Sequence, residues 1–289
     1  MSEENKYKCP VCKDKHIVIY RVHKDTEWKE DFVKVKGNVE SRLVPDEMVL
    51  EDDFLAGKIC GPDEAWQWRD TYSKKCNCVQ SIKTNRILKS SEITEAFKSK
   101  GFKNFMTEGK PQVIKDAYDC AVEYYQSFRD IRFTEQNSMA LLGNPGSGKT
   151  HLLTALCNNL MSKRQIPVLY FPYVEGFTDL KDDFNKLQAK LDRMKKIDVL
   201  FIDDLFKPLN GKPRFTEWQL EMTYEVVNYR YNNKLPFLIS SELDTSQLRK
   251  IDAALADRII ERCSDFTVNI TGKGQEKDLN HRLRGIENV

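Results

Sequence analysis

Short apolar runs alternating with helix-period segments set the rhythm of the second half of the chain. Met139-Ala140-Leu141-Leu142, Val168-Leu169-Tyr170-Phe171 and Val199-Leu200-Phe201-Ile202 are continuous apolar stretches. Leu238-Ile239-Ser240-Ser241 and Phe266 to Ile270 follow the same plan. Runs this short and this apolar read as strands buried on both faces. Between them lie predicted helices: Lys149 to Arg164, a charged one from about Glu175 to Lys196, one from Thr216 to about Tyr231, and Asp252 to Arg262. Thr216-Glu217-Trp218-Gln219 has capping-box spacing at the third of these starts. Ahead of them all, Pro111 opens a helix whose apolar residues Val113, Ala117, Ala121, Tyr124 and Phe128 recur at helical spacing. Strands alternating with helices predict an α/β domain on a five-stranded parallel sheet, covered on both faces.

The first third is different. Residues 1 to about 85 lack long helical periodicity, and Asp46 to Asp53 is an acidic stretch followed by Gly57, Gly61 and Pro62. Five of the eight cysteines fall between residues 9 and 78, whereas Cys120, Cys157 and Cys263 are scattered. The expected division is a small N-terminal domain, 1–85, and an α/β domain, 86–289. The 46 basic and 44 acidic residues leave a net charge of +2, so no global field argues for nucleic acid. Nothing approaches 18 consecutive apolar residues, and the polar start has no apolar signal region, so no membrane partner and a cytoplasmic location are expected. In that reducing compartment cysteines serve as thiols or metal ligands.

The strongest chemical signal is Gly143-Asn144-Pro145-Gly146-Ser147-Gly148-Lys149-Thr150, between a predicted strand and a predicted helix. Its glycines let successive N–H groups converge on phosphate oxygens, and the helix start adds partial positive charge. Lys149 is the residue to reach the β- and γ-phosphates of ATP, and the Thr150 hydroxyl the one to ligate Mg2+. About 50 residues on, the run Val199 to Ile202 delivers Asp203 and Asp204 to the carboxyl end of a strand, where ligands bind in open sheets. Asp203 is the expected magnesium acid, and Asp204 is placed to orient or deprotonate the attacking water. Ser240 and Ser241 end the fourth strand near the expected position of the terminal phosphate. Arg258 and Arg262 share a helix face, either as a finger toward a neighbouring subunit or as a solvated basic face.

Cys9-Pro10-Val11-Cys12 and Cys76-Asn77-Cys78 can supply four thiolates to a structural Zn2+, a closed site with no open position for catalysis. The 63 residues between the pairs exceed the usual zinc-ribbon interval of about 15–20, and Cys60, His16 and His23 are possible substitutes for one ligand.

Together these segments resemble the DnaC/DnaI helicase loaders, phage and prophage members especially, and their transposition relative IstB. The resemblance is carried by Gly148-Lys149-Thr150-His151-Leu152, Ile202-Asp203-Asp204-Leu205, Thr216-Glu217-Trp218 and Val227-Asn228-Tyr229-Arg230-Tyr231. Leu235-Pro236, Ser240-Ser241-Glu242, Ala256-Asp257-Arg258-Ile259-Ile260-Glu261-Arg262 and the cysteine pairs complete it. The resemblance implies an AAA+ P-loop ATPase that hydrolyses ATP to ADP, with Ser241 as sensor 1 and Arg258 as the finger completing a neighbour's site. It implies that Phe102 and Phe105 belong to the segment packing on adenine. It further implies self-association through the ATP sites and a grip on single-stranded DNA. A replicative hexameric helicase is the implied partner, engaged by the N-terminal zinc domain. Two departures stand out. Only 19 residues follow Ile270, so the helical lid is expected to be reduced or absent, with Arg282 or Arg284 as the late sensor-2 candidates. The charged segment from Glu175 to Lys196 stands where loaders carry a DNA-contacting insertion. Its Lys181, Lys186, Lys190, Arg193, Lys195 and Lys196 are diluted by Asp179, Asp182, Asp183 and Asp192. The alternatives are an IstB-like transposition ATPase regulating target DNA selection, or a P-loop kinase of small molecules.

Overall fold

The computed structural model describes residues 7–35, 38–59, 61–181, 183–272 and 276–281. The chain divides into two compact units after Lys83.

The first unit is built from short antiparallel strands. A three-stranded sheet has the order β4-β1-β5, from β1 (Ile17–Val22), β4 (Met48–Leu50) and β5 (Asp70–Lys75). A separate hairpin joins β2 (Trp28–Val35) to β3 (Asn38–Pro45). A short helix α1 (Glu51–Leu55) follows β4. Helix α2 (Asn77–Ser90) begins within the second cysteine pair, and the division between units falls inside it. The sheet register explains how distant cysteines meet. Strand β5 returns antiparallel to β1 until Lys75 lies opposite Ile17, and the Cys76 N–H then donates to the His16 carbonyl at 2.8 Å. Sequence distance between the pairs is spent on the strands and loops between them, and their spatial separation is not.

The second unit carries α3 (Glu95–Lys98), α4 (Gln112–Ile131), β6 (Met139–Gly143), α5 (Lys149–Arg164) and β7 (Val168–Pro172). Then come α6 (Tyr173–Thr178), α7 (Phe184–Lys196), β8 (Val199–Asp203), α8 (Glu217–Asn232) and β9 (Phe237–Ser241). The last elements are α9 (Thr245–Ile251), α10 (Ala253–Arg262), β10 (Thr267–Ile270) and α11 (Glu276–Leu279). The five strands form one parallel sheet in the order β10-β6-β9-β8-β7. Side-chain alternation splits each apolar run between two cores. Met139, Leu141, Val199 and Phe201 pack with α4 and α5, whereas Ala140, Leu142, Leu200 and Ile202 pack with α7, α8 and α10. That is why these strands read as uninterrupted apolar runs.

Helix α4 buries four of the five periodic residues, Ala117, Ala121, Tyr124 and Phe128, with Ile114 in place of Val113. Thr216 and Gln219 form the expected capping box. The charged helix expected from Glu175 to Lys196 is instead two helices. Asp183 caps α7 by accepting the Lys186 N–H at 3.0 Å, and an aspartate engaged this way favours a helix start over a helix interior. Four of its basic residues are already paired: Lys186 with Asp183, Lys190 and Arg193 with Glu92, and Lys195 with Glu225.

Arg230, fully buried, fixes the other end of β8. Its guanidinium donates to the carbonyls of Met194, Lys195, Ile197, Asp198 and Pro236. One side chain thus ties α8 to the end of α7 and to the entrances of β8 and β9.

Candidate functional site

The phosphate loop leaves β6 at Gly143 and enters α5 at Lys149. Gly143 has φ +104°, and a Cβ there would meet the Ile270 carbonyl oxygen at 2.4 Å. Gly148, at φ +88°, would press a Cβ against the Phe105 ring at 2.5 Å. These positions admit only glycine on both conformational and spatial grounds. The Asn144 N–H donates to the same Ile270 carbonyl at 2.8 Å, which moors the loop to β10. Lys149 is buried, and its ammonium donates to the carbonyls of Gly143 (2.8 Å) and Asn144 (2.7 Å). The loop therefore satisfies its own lysine within the fold. The glycine geometry and the start of a 16-residue helix fit a nucleotide's phosphates.

Across the sheet, Asp203 ends β8 and is 4% exposed. Its Oδ1 accepts from the Thr150 hydroxyl at 2.8 Å and from the Ser240 hydroxyl, and its Oδ2 accepts from the Tyr170 hydroxyl at 3.0 Å. Burial pushes this carboxyl above the usual carboxylate range, against the pull of those hydroxyls. The structure thus brings Thr150 and Asp203 together over 53 positions of sequence. Asp204 follows with a left-handed backbone, φ +57°. Its N–H donates to the Ser240 Oγ at 2.8 Å, and its carboxylate pairs with Lys207 at 2.6 Å.

The two serines part company. Ser240 touches both acids, whereas the Ser241 hydroxyl donates to the Leu205 carbonyl at 2.7 Å and accepts from the Leu243 N–H at 3.1 Å. The structure does not bring Ser241 to the acidic pair, because adjacent strand residues face opposite sides of the sheet. Arg258 contacts α8 and its own helix. Its Nε donates to Asn228 at 2.9 Å, a guanidinium N–H donates to the Ala254 carbonyl, and the group lies over Tyr224 and Tyr231. Arg262 is 3% exposed and is consumed structurally, donating to the Glu135 and Tyr231 carbonyls.

Phe105 lies over the loop at Gly148 and packs on Tyr118, His151 and His281; Phe102 packs on Tyr118 and Tyr125. The end of the described chain also reaches the loop. The His281 N–H donates to the Gly146 carbonyl at 2.9 Å, and the Asn280 carboxamide rests against Gly146. Sequence reasoning missed Tyr170, Lys207, Asn280 and His281 at this site. Arg282 and Arg284 lie outside the described residues, as do Asp182 and Cys60.

In the first unit, Cys9, Cys12, Cys76 and Cys78 bring their sulfurs within 4.8 Å of one another. Cys9 and Cys76 are 3.8 Å apart, and Cys12 and Cys78 are 3.5 Å apart. Tetrahedral zinc with Zn–S bonds of about 2.3 Å spaces its sulfurs about 3.8 Å apart, so the set fits that ion. A disulfide, at about 2.05 Å, is excluded for these free thiols. The knuckle is held by Asp14, which accepts from the Lys8 and Cys9 N–H groups at 3.1 and 2.9 Å. The Cys12 N–H directed at the Cys9 sulfur lowers that thiol to about 7, whereas burial and the neighbouring sulfurs push the Cys78 thiol up. His16 Nδ1 lies 3.5 Å from the Cys78 sulfur, at the margin of the cluster. His23 is engaged elsewhere, with Gln67 at 2.9 Å.

Comparison with known proteins agrees with this geometry. The family of IstB-like ATP binding proteins matches residues 115–284. YqaM of Bacillus subtilis is 56% identical over 281 residues, covering 97% of this chain and 87% of its own. The replicative helicase loader DnaC of Escherichia coli is 24% identical over 187 residues, 63% of this chain and 70% of its own. The crystal structure of DnaI shares the fold, with a TM-score of 0.52 at 23% identity, over 62% of this chain and 95% of that one.

Proposed function

Because the chain belongs to the family of IstB-like ATP binding proteins, we propose that it is an ATP-dependent loader of a replicative hexameric helicase onto single-stranded DNA. The observation that carries this reading is the joining of two devices on one chain. A four-cysteine knuckle lies ahead of residues 115–284, and a phosphate loop is paired with a buried acid within them. An ATPase module alone fits the IstB-type alternative equally well; the added cysteine unit favours a protein-delivery role, with that unit as the helicase-binding part.

Within the ATPase unit each residue has a distinct task. Lys149 exchanges its two loop carbonyls for phosphate oxygens, and the Gly146 to Thr150 backbone cradles the same group. Thr150 and Asp203 would hold magnesium, which supplies charge neutralisation at the phosphates when bound. Asp204, fixed by Ser240 and Lys207, orients the attacking water. Arg258 reaches the phosphate of a neighbouring copy, so that hydrolysis depends on self-association. Cys9, Cys12, Cys76 and Cys78 would hold zinc, whose chemistry here is structural.

Co-elution of the purified protein with its hexameric helicase, with and without ATP, tests the reading. A stable complex is expected, and its absence in both conditions removes the loader assignment. Retention of a transposase in place of the helicase would establish the IstB-type alternative.

A further inference from the structure

Tyr170 lies in the third apolar position of a core strand, where a phenylalanine would fill the same space. Its ring packs edge-on against Phe97 (centroids 5.9 Å apart) and Phe201 (5.3 Å) and is 5% exposed. Its N–H donates to the Ser91 carbonyl at 2.8 Å, which fixes the backbone as well. Only the hydroxyl exceeds what packing requires, and that hydroxyl reaches the Asp203 Oδ2 at 3.0 Å. The sheet register accounts for the reach. Tyr170 stands opposite Phe201 in the β7–β8 pair, and Asp203 lies two residues further along on the same face. Diagonal neighbours of this kind are within range of a long aromatic side chain.

The donors around Asp203 are not equivalent. Thr150 and Ser240 share Oδ1, and Tyr170 is the donor to Oδ2. A carboxylate turns easily about its last torsion. With Oδ2 pinned by a rigid phenol, Oδ1 is kept facing Thr150 and the phosphate loop. We propose that Tyr170 is a positioning residue that holds the Asp203 carboxylate in the orientation needed for magnesium-bound nucleotide. The inference rests on the magnesium role given to Asp203 above and adds the residue that aims it. If Thr150 were to serve bound magnesium, Tyr170 and Ser240 would be the hydroxyl donors left to hold the carboxylate.

The experiment is a binding titration with a fluorescent ATP analogue, run in Mg2+ and in EDTA, on the full chain. The readout is the gain in affinity on adding Mg2+, which a packing defect would not move selectively. Tyr170→Phe keeps the ring and is expected to reduce that gain by about tenfold, the loss of one hydrogen bond to a charged group. Its affinity in EDTA should stay within about twofold of the parent. Phe97→Leu disturbs the ring's packing but spares the hydroxyl, and should leave the gain unchanged. In the Asp203→Asn background, adding Tyr170→Phe should have no further effect. An unchanged gain in Tyr170→Phe overturns the inference, as does an equal loss in EDTA or an equal response in Phe97→Leu. Should Asp203→Asn itself retain the parent's gain, the magnesium role of Asp203 falls first and Tyr170 with it, a failure read without any Tyr170 variant.

Discussion

The two units hold themselves together by opposite means. In the second, a parallel sheet is buried between two apolar layers, and even its polar anchors, Arg230 and Arg262, are enclosed and hydrogen-bonded. In the first, the buried cluster among the described residues is Cys12, Val18 and Cys76, with Tyr20 and Leu50 packed against it, while Trp28, Phe32 and Leu43 of the hairpin face outward. Among the described residues that layer is small beside the entropy its strands lose, and a metal held by the four sulfurs would supply what it lacks. The comparison separates two kinds of site. The phosphate loop is a consequence of a stable fold, whereas the cysteine knuckle, if it holds the proposed zinc, would be a condition for one.

The largest expected effect follows directly. Structural zinc supplies about 10–16 kcal/mol of apparent binding energy in small domains, more than this apolar cluster could contribute. Metal analysis should return about one zinc per chain. Removing the metal with a chelator, or through the double change Cys9→Ser and Cys76→Ser, should unfold the first unit and leave nucleotide binding intact. Val18 and Val22 of β1 are buried in that unit, so faster amide hydrogen exchange along β1 and β5 reports its loss. Simultaneous loss of nucleotide binding would break the contrast between the units.

That contrast also explains what could be foreseen. In the second unit, β6, β7 and β8 are built on continuous apolar runs, and β9 and β10 carry enough apolar residues between helical segments, so all five strands and the loop were legible. Helix α9 escaped, although Asp244 and Gln247 form a capping box that announces it. The phase of β9 was not legible: a run ending Ser240-Ser241 says that two hydroxyls arrive at the sheet's edge, not which of them faces the acids. Tyr170 was hidden for the converse reason, since an aromatic residue inside an apolar run reads as core. In the first unit, Ile17 and Ile19 are exposed while Val18 and Val22 are buried, so β1 is apolar on both faces and shows no alternation. The distance between the cysteine pairs looked excessive only because the antiparallel return of β5 is a tertiary fact.

A second prediction concerns Arg258, whose guanidinium hydrogen-bonds to Asn228 of α8 and to the Ala254 carbonyl of its own helix. If Arg258 completes a neighbour's site, Arg258→Ala should slow phosphate release about a thousandfold and leave ATP binding unchanged. Normal turnover would return Arg258 to a local role on Asn228 and the two tyrosines.

Next in size is a stability effect confined to the second unit. Arg230→Met removes a buried guanidinium and takes its N–H donors from the carbonyls of Met194, Lys195, Ile197, Asp198 and Pro236. A loss of about 3 kcal/mol is expected in denaturant titrations followed by the second unit's helical signal. Amide exchange along β1 and β5 of the first unit should not respond. A joint response would mean that the units unfold together.

The smallest effect tests the phase of a single strand. Ser240 donates to Asp203 and accepts from the Asp204 N–H, so its hydroxyl couples the acid proposed to hold the metal to the acid proposed to orient the water. Ser241, one residue on, spends its hydroxyl on the turn after β8 and on the Leu243 N–H. Losing a hydrogen bond to a charged group costs about 1.5–3 kcal/mol, so Ser240→Ala should reduce hydrolysis about ten- to hundredfold. Ser241→Ala removes only neutral partners from a turn, and should lower the melting temperature slightly while turnover stays within about threefold. The resemblance to helicase loaders assigns the sensing role to Ser241, so the pair of variants decides between a motif's register and a strand's geometry. The reverse ranking, with Ser241→Ala the slower enzyme, would mean that nucleotide binding turns β9 or its following loop so that Ser241 reaches the phosphate.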